Sequence, residues 1–236
     1  MHINTSRIPR CVKSLVDRVV AGGGKATLVG GAVIDMVLGR KPKDWDLEIF
    51  RLSYDDLAAL LSDLNPKLVG RSFGIIKVNI DGFDIDLNVP RTDNKVGIGH
   101  KGFEVMMDPT MTVEEAARRR DFTINALAMD MSTGEVIDPF GGLADLHAGI
   151  LRATDDHLFV QDPLRGLRAM QLLARKCRVV DPHTMGLIRG MSSSFAELAP
   201  ERVHEEWRKL LLKAERPSVG LEFLRDSGWI VHFPEL

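Results

Sequence analysis

Cysteine is nearly absent: Cys11 and Cys177 are the only two in a chain of 236 residues, and neither has a partner nearby in sequence. That excludes a disulfide scaffold and a cysteine zinc site. Aromatic residues are scarce, at 6%, which argues against broad base-stacking platforms. No apolar run approaches the ~20 residues of a membrane span. The N-terminus lacks a signal-peptide pattern, so a reducing cytoplasm is the expected compartment. The seven histidines show no metal-ligand spacing. Gly22-Gly-Gly-Lys-Ala-Thr27 lacks the Ser or Thr directly after lysine that a P-loop requires. A large net charge is missing too: the sum is −2, against a uniformly basic nucleic-acid coat. Local patches remain, with Arg118, Arg119 and Arg120 consecutive and Arg165, Arg168, Arg175, Lys176 and Arg178 close together. Such patches bind phosphates without a basic average.

What is present is ordinary globular composition, 44% hydrophobic and 27% charged, enough for a sizeable core in one or two domains. Val12, Leu15, Val16, Val19 and Val20 follow helix spacing. Gly22 to Gly24 end that helix. Ala26 to Val29 reads as a buried strand, Ala32 to Leu38 as a short helix and Asp44 to Phe50 as a strand. Ser53 is a candidate cap for a helix carrying Leu57, Leu60, Leu61 and Leu64 inward. Ile75 to Ile80 and Phe83 to Val89 read as strands joined by an Asp81-Gly82 turn. Arg91 to Gly102 is polar and glycine-rich, and is expected to be a mobile loop. Thr112 and Glu115 form a capping box. From Asp162 onward helices dominate, beginning with Asp162-Pro163. Glu201 to Ala214 is a helix with Val203, Trp207, Leu210 and Leu211 as its apolar stripe. The boundary between a mixed first part and a helical second part falls near residues 150 to 160.

Four constellations carry chemistry. In a strand, Asp44 and Asp46 point to one face. Two such carboxylates grip hard cations through oxygen, as two-metal phosphoryl transfer requires. Gly30 and Gly31 before them let the backbone approach triphosphate oxygens. Alone, such a pair is more often a solvated strand end. Asp84 and Asp86 also share a face. If their strand neighbours that of Asp44, one of them completes a carboxylate triad; otherwise they mark an exposed polar edge. In Arg118 to Ala126, Arg120 suits phosphate, and Asp121 and Asn125, four apart, would meet on a helix face able to hold a ribose hydroxyl. The alternative is a solvated helix end with arginines at its negative pole. In Asp162 to Arg168, Asp162 and Arg165 offer acceptors and donors for a base edge, or else a helix cap with an ion pair.

Read in order, these segments resemble the class II tRNA nucleotidyltransferase (CCA-adding enzyme) and poly(A) polymerase family. Leu28-Val-Gly-Gly-Ala-Val-Ile-Asp35 through Lys43-Asp-Trp-Asp-Leu-Glu48 resembles its first motif. Ile85-Asp-Leu-Asn-Val-Pro-Arg91 resembles the strand bearing a further acid. Arg119-Arg-Asp-Phe-Thr-Ile-Asn-Ala126 resembles the ribose and phosphate motif, and Asp138 to Leu146 the hinge-like motif. Asp162 to Arg168 resembles the protein template for base recognition, and Glu201-Arg-Val-His-Glu-Glu206 the motif that braces it.

The resemblance implies an α+β fold: a nucleotidyltransferase head of mixed β-sheet with helices over residues 1–155, then an all-helical neck over 156–236. It implies Asp44 and Asp46 as Mg²⁺ ligands and, with Asp86, as catalytic residues. Gly30, Gly31, Arg120, Asp121, Asn125, Asp162, Arg165 and Arg168 would bind the nucleotide. The implied reaction adds C and A to tRNA 3′ ends from CTP and ATP, releasing pyrophosphate. Poly(A) polymerase and A-adding or CC-adding specialists share these motifs, and an inactive RNA-binding relative is the alternative from another class. Two departures stand out. The family usually has arginine, which helps hold the nucleotide, where this chain has Ile34, and glutamate where it has Gln161.

Overall fold

The computed structural model describes residues 1–42, 44–69, 74–95 and 103–236. They fall into two compact units. One is built from Met1–Asn94, Glu104–Arg118 and Asn125–Phe140; the other mainly from Arg119–Ile124 and Gly141–Leu236.

The first unit holds strands β1 (Lys25–Val29), β2 (Trp45–Phe50), β3 (Lys67–Val69), β4 (Ile75–Ile80), β5 (Phe83–Asn88), β8 (Ala128–Asp130) and β9 (Val136–Ile137). They form one sheet in the order β3-β4-β5-β2-β1-β8-β9. β2 and β5 run parallel; the other neighbours are antiparallel. Alternation decides the faces. Trp45, Leu47 and Ile49 of β2, Ile85 and Leu87 of β5, and Ile76 and Val78 of β4 are all buried. Full burial of such a side chain contributes roughly 1.5–3 kcal/mol, so the polar residues between them are left to the opposite face. Helix α1 (Arg10–Ala21) places Val12, Leu15, Val16 and Val19 in the core, as its period predicts, while Val20, counted with them in the sequence, is 45% exposed. α2 (Gly31–Val37) follows β1 directly. α3 (Tyr54–Leu60) is capped by Ser53, whose side chain accepts from Asp56 N–H. Ahead of α4 (Val113–Arg118), Glu115 N–H donates to Thr112 Oγ1 at 3.2 Å and Thr112 N–H to Glu115 Oε2 at 2.8 Å. This is the reciprocal capping box. The Asp81-Gly82 turn has φ of 53° and 80°, the pairing a tight hairpin needs.

The second unit is built on α7 (Leu164–Arg175), buried along most of its length. It packs against α9 (Pro200–Lys213) and α10 (Pro217–Ser227). α5 (Gly142–Ala148), α6 (Asp156–Phe159) and α8 (Pro182–Gly190) complete the helices. A short parallel pair, β10 (Ile150–Leu151) with β11 (Val179–Val180), accompanies them. Gly166 on α7 lies under Trp229: a Cβ there would sit 2.5 Å from the indole ring. Trp229 is fully buried and donates through Nε1 to Ile188 O at 2.9 Å.

Three expectations need correction, and strand β3 was not anticipated. Arg91–Lys95 is not loop but strand β6, paired in a separate two-stranded sheet with β7 (Phe103–Met107); the rest of the expected loop, 96–102, lies outside the described residues. Cross-strand pairing overrides the polar composition of β6. No helix carries Asp121 and Asn125: α4 stops at Arg118, Phe122 bridges to Ala153, and only a 3-10 turn spans Thr123–Asn125. Leu211 is no part of the α9 stripe, being 59% exposed, whereas Glu206 and Leu210 are buried. β3 was unforeseen, since its three residues are all exposed and show no alternation.

Candidate active site

The polar face of the first unit's sheet is the densest concentration of chemistry. Asp46 on β2 stands directly opposite Asp86 on β5 in the parallel register. The condition for a shared carboxylate face is therefore met: the two strands are neighbours. Across the next pairing Lys77 of β4 opposes Asp86, and Asn79 opposes Asp84. Lys77 Nζ lies 2.5 Å from Asp86 Oδ2, and Asn79 Nδ2 donates to Asp84 Oδ1 at 2.7 Å. Asp44, Asp46, Asp84 and Asp86 line one open cavity of about 700 Å³, together with Asn65, Lys67, Lys77 and Asn79. Sequence reasoning missed Lys77 and Asn79. The polar alternation of β4, between Ile76, Val78 and Ile80, is the signal that points to them.

Gly30 sits where β1 ends and α2 begins, with φ 68° and ψ −140°. Only glycine adopts that conformation readily. A Cβ at this position would stand 3.7 Å from Asp46 Oδ2, so the bare backbone here borders the carboxylate. Gly31 follows as the first residue of α2. Ile34, where the resemblance leads one to expect arginine, is fully buried on the apolar side of this short helix.

The other expected residues lie on different elements. Asp121 is buried in the second unit. Its Oδ1 accepts from Phe122 N–H at 2.9 Å and its Oδ2 from Arg168 Nε at 2.6 Å. The charge of Asp121, and after it that of Glu206, holds the Arg168 guanidinium pKa above its usual value against the opposing effect of burial. Asp162 Oδ1 accepts from Leu164 N–H, the first residue of α7, at 3.1 Å, while Oδ2 accepts from Arg202 Nη2 at 2.8 Å. Arg165 donates to Arg119 O at 2.8 Å, and its guanidinium lies over the Phe159 ring, 5.7 Å from the centroid. Asp162 thus stands just before α7 and Arg165 in its first turn, each oriented by other partners. Two residues of the Glu201 to Glu206 segment reach α7: Arg202 pairs with Asp162, and Glu206 Oε1 lies 4.0 Å from Arg168 Nη1. Arg120 is half-buried in the bend after α4, and Asn125 closes the 3-10 turn.

Among the described residues, no group of three or more His, Cys, Asp and Glu side chains is set to hold a metal ion. A magnesium-type cation needs no such cage. It keeps several waters and is held by one or two carboxylates plus substrate phosphates. The all-oxygen donor set of Asp44, Asp46 and Asp86 around an open cavity fits that description. No helix among the described residues is long and apolar enough to cross a membrane.

Comparison with known proteins supplies the class first. Residues 26–152 match the family described as Poly A polymerase head domain, and residues 179–236 the family described as Probable RNA and SrmB-binding site of polymerase A. The chain is 41% identical over 209 residues to the Multifunctional CCA protein of Xanthomonas campestris, covering 86% of itself and 49% of that relative. It is 40% identical over 208 residues to the protein of the same description from Stenotrophomonas maltophilia, at the same coverages. Its fold superposes on the Bacillus stearothermophilus CCA-adding enzyme in complex with CTP with a TM-score of 0.80 at 29% identity, over 92% of this chain and 52% of the other. The chain therefore belongs to the class II CCA-adding enzyme and poly(A) polymerase family, whose nucleotidyltransferases generally use divalent metals. It spans about half the length of the curated relatives it matches.

Proposed function

We propose that this chain is the catalytic head and neck of a template-independent RNA nucleotidyltransferase that adds C and A to tRNA 3′ ends from CTP and ATP. One observation carries the reading: Asp46 and Asp86 stand opposite each other on parallel neighbours, at a cavity that Asp44 also lines. The relatives described as CCA proteins, and the structural neighbours described in complex with CTP or with ATP, support it. The working division is a head of residues 1–155 and a neck of 156–236.

In this reading Asp44 and Asp46 hold Mg²⁺, which when bound stabilises charge on the transferring phosphoryl group. The RNA 3′ hydroxyl attacks the α-phosphate of the incoming nucleotide, and pyrophosphate leaves. Asp86 accepts a hydrogen bond from that hydroxyl through the oxygen not engaged by Lys77. Gly30 and Gly31 offer backbone N–H groups to the triphosphate. Arg120 and Arg168 balance phosphate charge, Asp121 and Asn125 bear on the ribose, and Asp162 and Arg165 read the base edge. Arg168 and Asp121 also pair with each other, which fixes the orientation of both side chains. The unpaired cysteines are consistent with a cytoplasmic setting.

The test is nucleotide incorporation on tRNA ending before CCA, with CTP and ATP supplied separately and together. Use of both supports CCA addition. ATP use without CTP use rejects it in favour of poly(A) or A-only addition. RNA binding without any metal-dependent turnover identifies an inactive relative.

A further inference from the structure

The row of charge across the sheet face does not end at the carboxylates. Lys67 of β3 lies directly opposite Lys77 of β4 in the antiparallel register, and both line the cavity. The sequence of side chains over four adjacent strands is therefore Lys67, Lys77, Asp86, Asp46. Like charges directly opposite one another destabilise a sheet. Asp86 offsets Lys77. Lys67 is exposed, and its side chain has no hydrogen-bonding or ion-pair partner among the described residues. An ammonium carries three donors, and Asp86 engages Lys77 through one of them. Two lysines facing a cavity with donors to spare form a place for an anion.

Resting on the function proposed above, we infer that Lys67 and Lys77 hold the backbone phosphate of the acceptor RNA next to its 3′ hydroxyl. Order along the face separates this from the triphosphate. Gly30 and Gly31 follow β1, on one side of Asp46; the lysines lie beyond Asp86, on the other side. The group at Asp86 is the attacking hydroxyl, so what extends beyond it is the strand that carries that hydroxyl. Neighbouring strands lie about 4.8 Å apart, which puts the Lys67 backbone roughly 10 Å from that of Asp86, within range of an adjacent phosphodiester. Lysine suits this task because a flexible point charge tolerates any RNA sequence.

The test compares the wild-type chain with Lys67→Gln and Lys67→Arg. RNA ending before CCA is bound without metal or nucleotide and followed by fluorescence anisotropy across a salt series. Lys67→Gln should weaken binding about fivefold, the scale of one exposed charge contact. It should also flatten the dependence of log K on log salt by about 0.7, the value for one single-strand phosphate. Lys67→Arg should restore both. An RNA with a neutral methylphosphonate in its last internucleotide linkage should lose at least as much from wild type as Lys67→Gln does, and should lose less from Lys67→Gln than from wild type, because only the Lys77 contact is left to remove. In turnover, KM for RNA should rise in Lys67→Gln while KM for CTP stays put. Unchanged RNA affinity, additive losses from the variant and the neutral linkage, or a rise in KM for CTP instead of RNA each overturns the inference. A wild-type chain that incorporates nothing defeats the proposed function instead, and the anisotropy series still decides the role of Lys67.

Discussion

The aspartates of the sheet's cavity and four aspartates of the second unit keep different company. In the second, Asp121, Asp145, Asp162 and Asp181 are each engaged by arginine, from Arg168, Arg152, Arg202 and again Arg152. In the first, Asp44, Asp46, Asp84 and Asp86 line a cavity, with a lysine and an asparagine as their neighbours on β4. Arginine's planar fork locks a carboxylate in one geometry; lysine is a point charge that leaves lone pairs to other partners. The same residue type therefore fixes packing through arginine in the helical unit and lines an open cavity on the sheet.

The largest effect expected from this contrast is on turnover. Asp44→Ala should lower incorporation by at least about a thousandfold, the several kcal/mol that metal-held charge stabilisation supplies, while RNA binding and thermal stability stay near wild type. Incorporation that survives would mean the sheet aspartates are ordinary surface acids.

Arg168→Met should do the reverse and act on stability first. It strands the buried Asp121, which costs about 3–5 kcal/mol for a fully buried pair. Arg168's side chain is 33% exposed, so about 2–3 kcal/mol is expected after screening. Denaturant unfolding measures it, and adding Asp121→Asn should recover part of the loss. A raised KM for CTP with unchanged unfolding would erase the distinction between the units.

Gly166→Ala tests the packing beneath those charges. The indole of Trp229 is rigid, so overpacking costs about 1–3 kcal/mol, less up to about 1 kcal/mol of gained helix propensity. A lowered melting temperature is the expected readout, and an unchanged one would show that α7 and Trp229 can separate.

The smallest effect concerns pH. Burial raises the Asp181 pKa, but the Thr184 N–H, Arg152 and the Thr184 hydroxyl outweigh it, and the net shift is downward. A carboxylate depressed in the folded state contributes stability above its unfolded pKa of about 3.9, lost as pH falls through the lower folded value. Asp181→Asn should therefore cost about 1 kcal/mol near neutrality, and the difference from wild type should vanish once the pH lies below the depressed folded value. A difference that persists there would remove the arginine pair as its cause. By contrast Cys177, its thiol pushed up to about 12 by burial, should resist alkylation at pH 8 until the chain unfolds.

Much of the fold was legible in local chemistry. The Asp81-Gly82 turn, the Ser53 cap and the Thr112 and Glu115 box all form as read, because each is completed by residues within a few positions. Failures came where a distant partner decides. Arg91–Lys95 becomes a strand because β7 pairs with it. Asp121 leaves the helical path because Arg168, 47 residues away, engages its carboxylate. Leu211 faces outward because the close packing of α7 and α9 turns Glu206 and Leu210 inward instead.

Within the candidate site the division is equally clear. Alternation along a strand sets Asp84 with Asp86 before any fold is known; it predicts the same for Asp44 and Asp46, but Asp44 falls in the bend just before β2 and reaches the cavity from there. That the two pairs meet, and that Lys77 and Lys67 extend their row, depends on β2 joining β5 in parallel and on β3 and β4 falling into register beside them. A strand's own pattern says which of its side chains share a face. It carries no information about which other strand will lie alongside, because that choice is made by burial of the opposite face over the whole sheet.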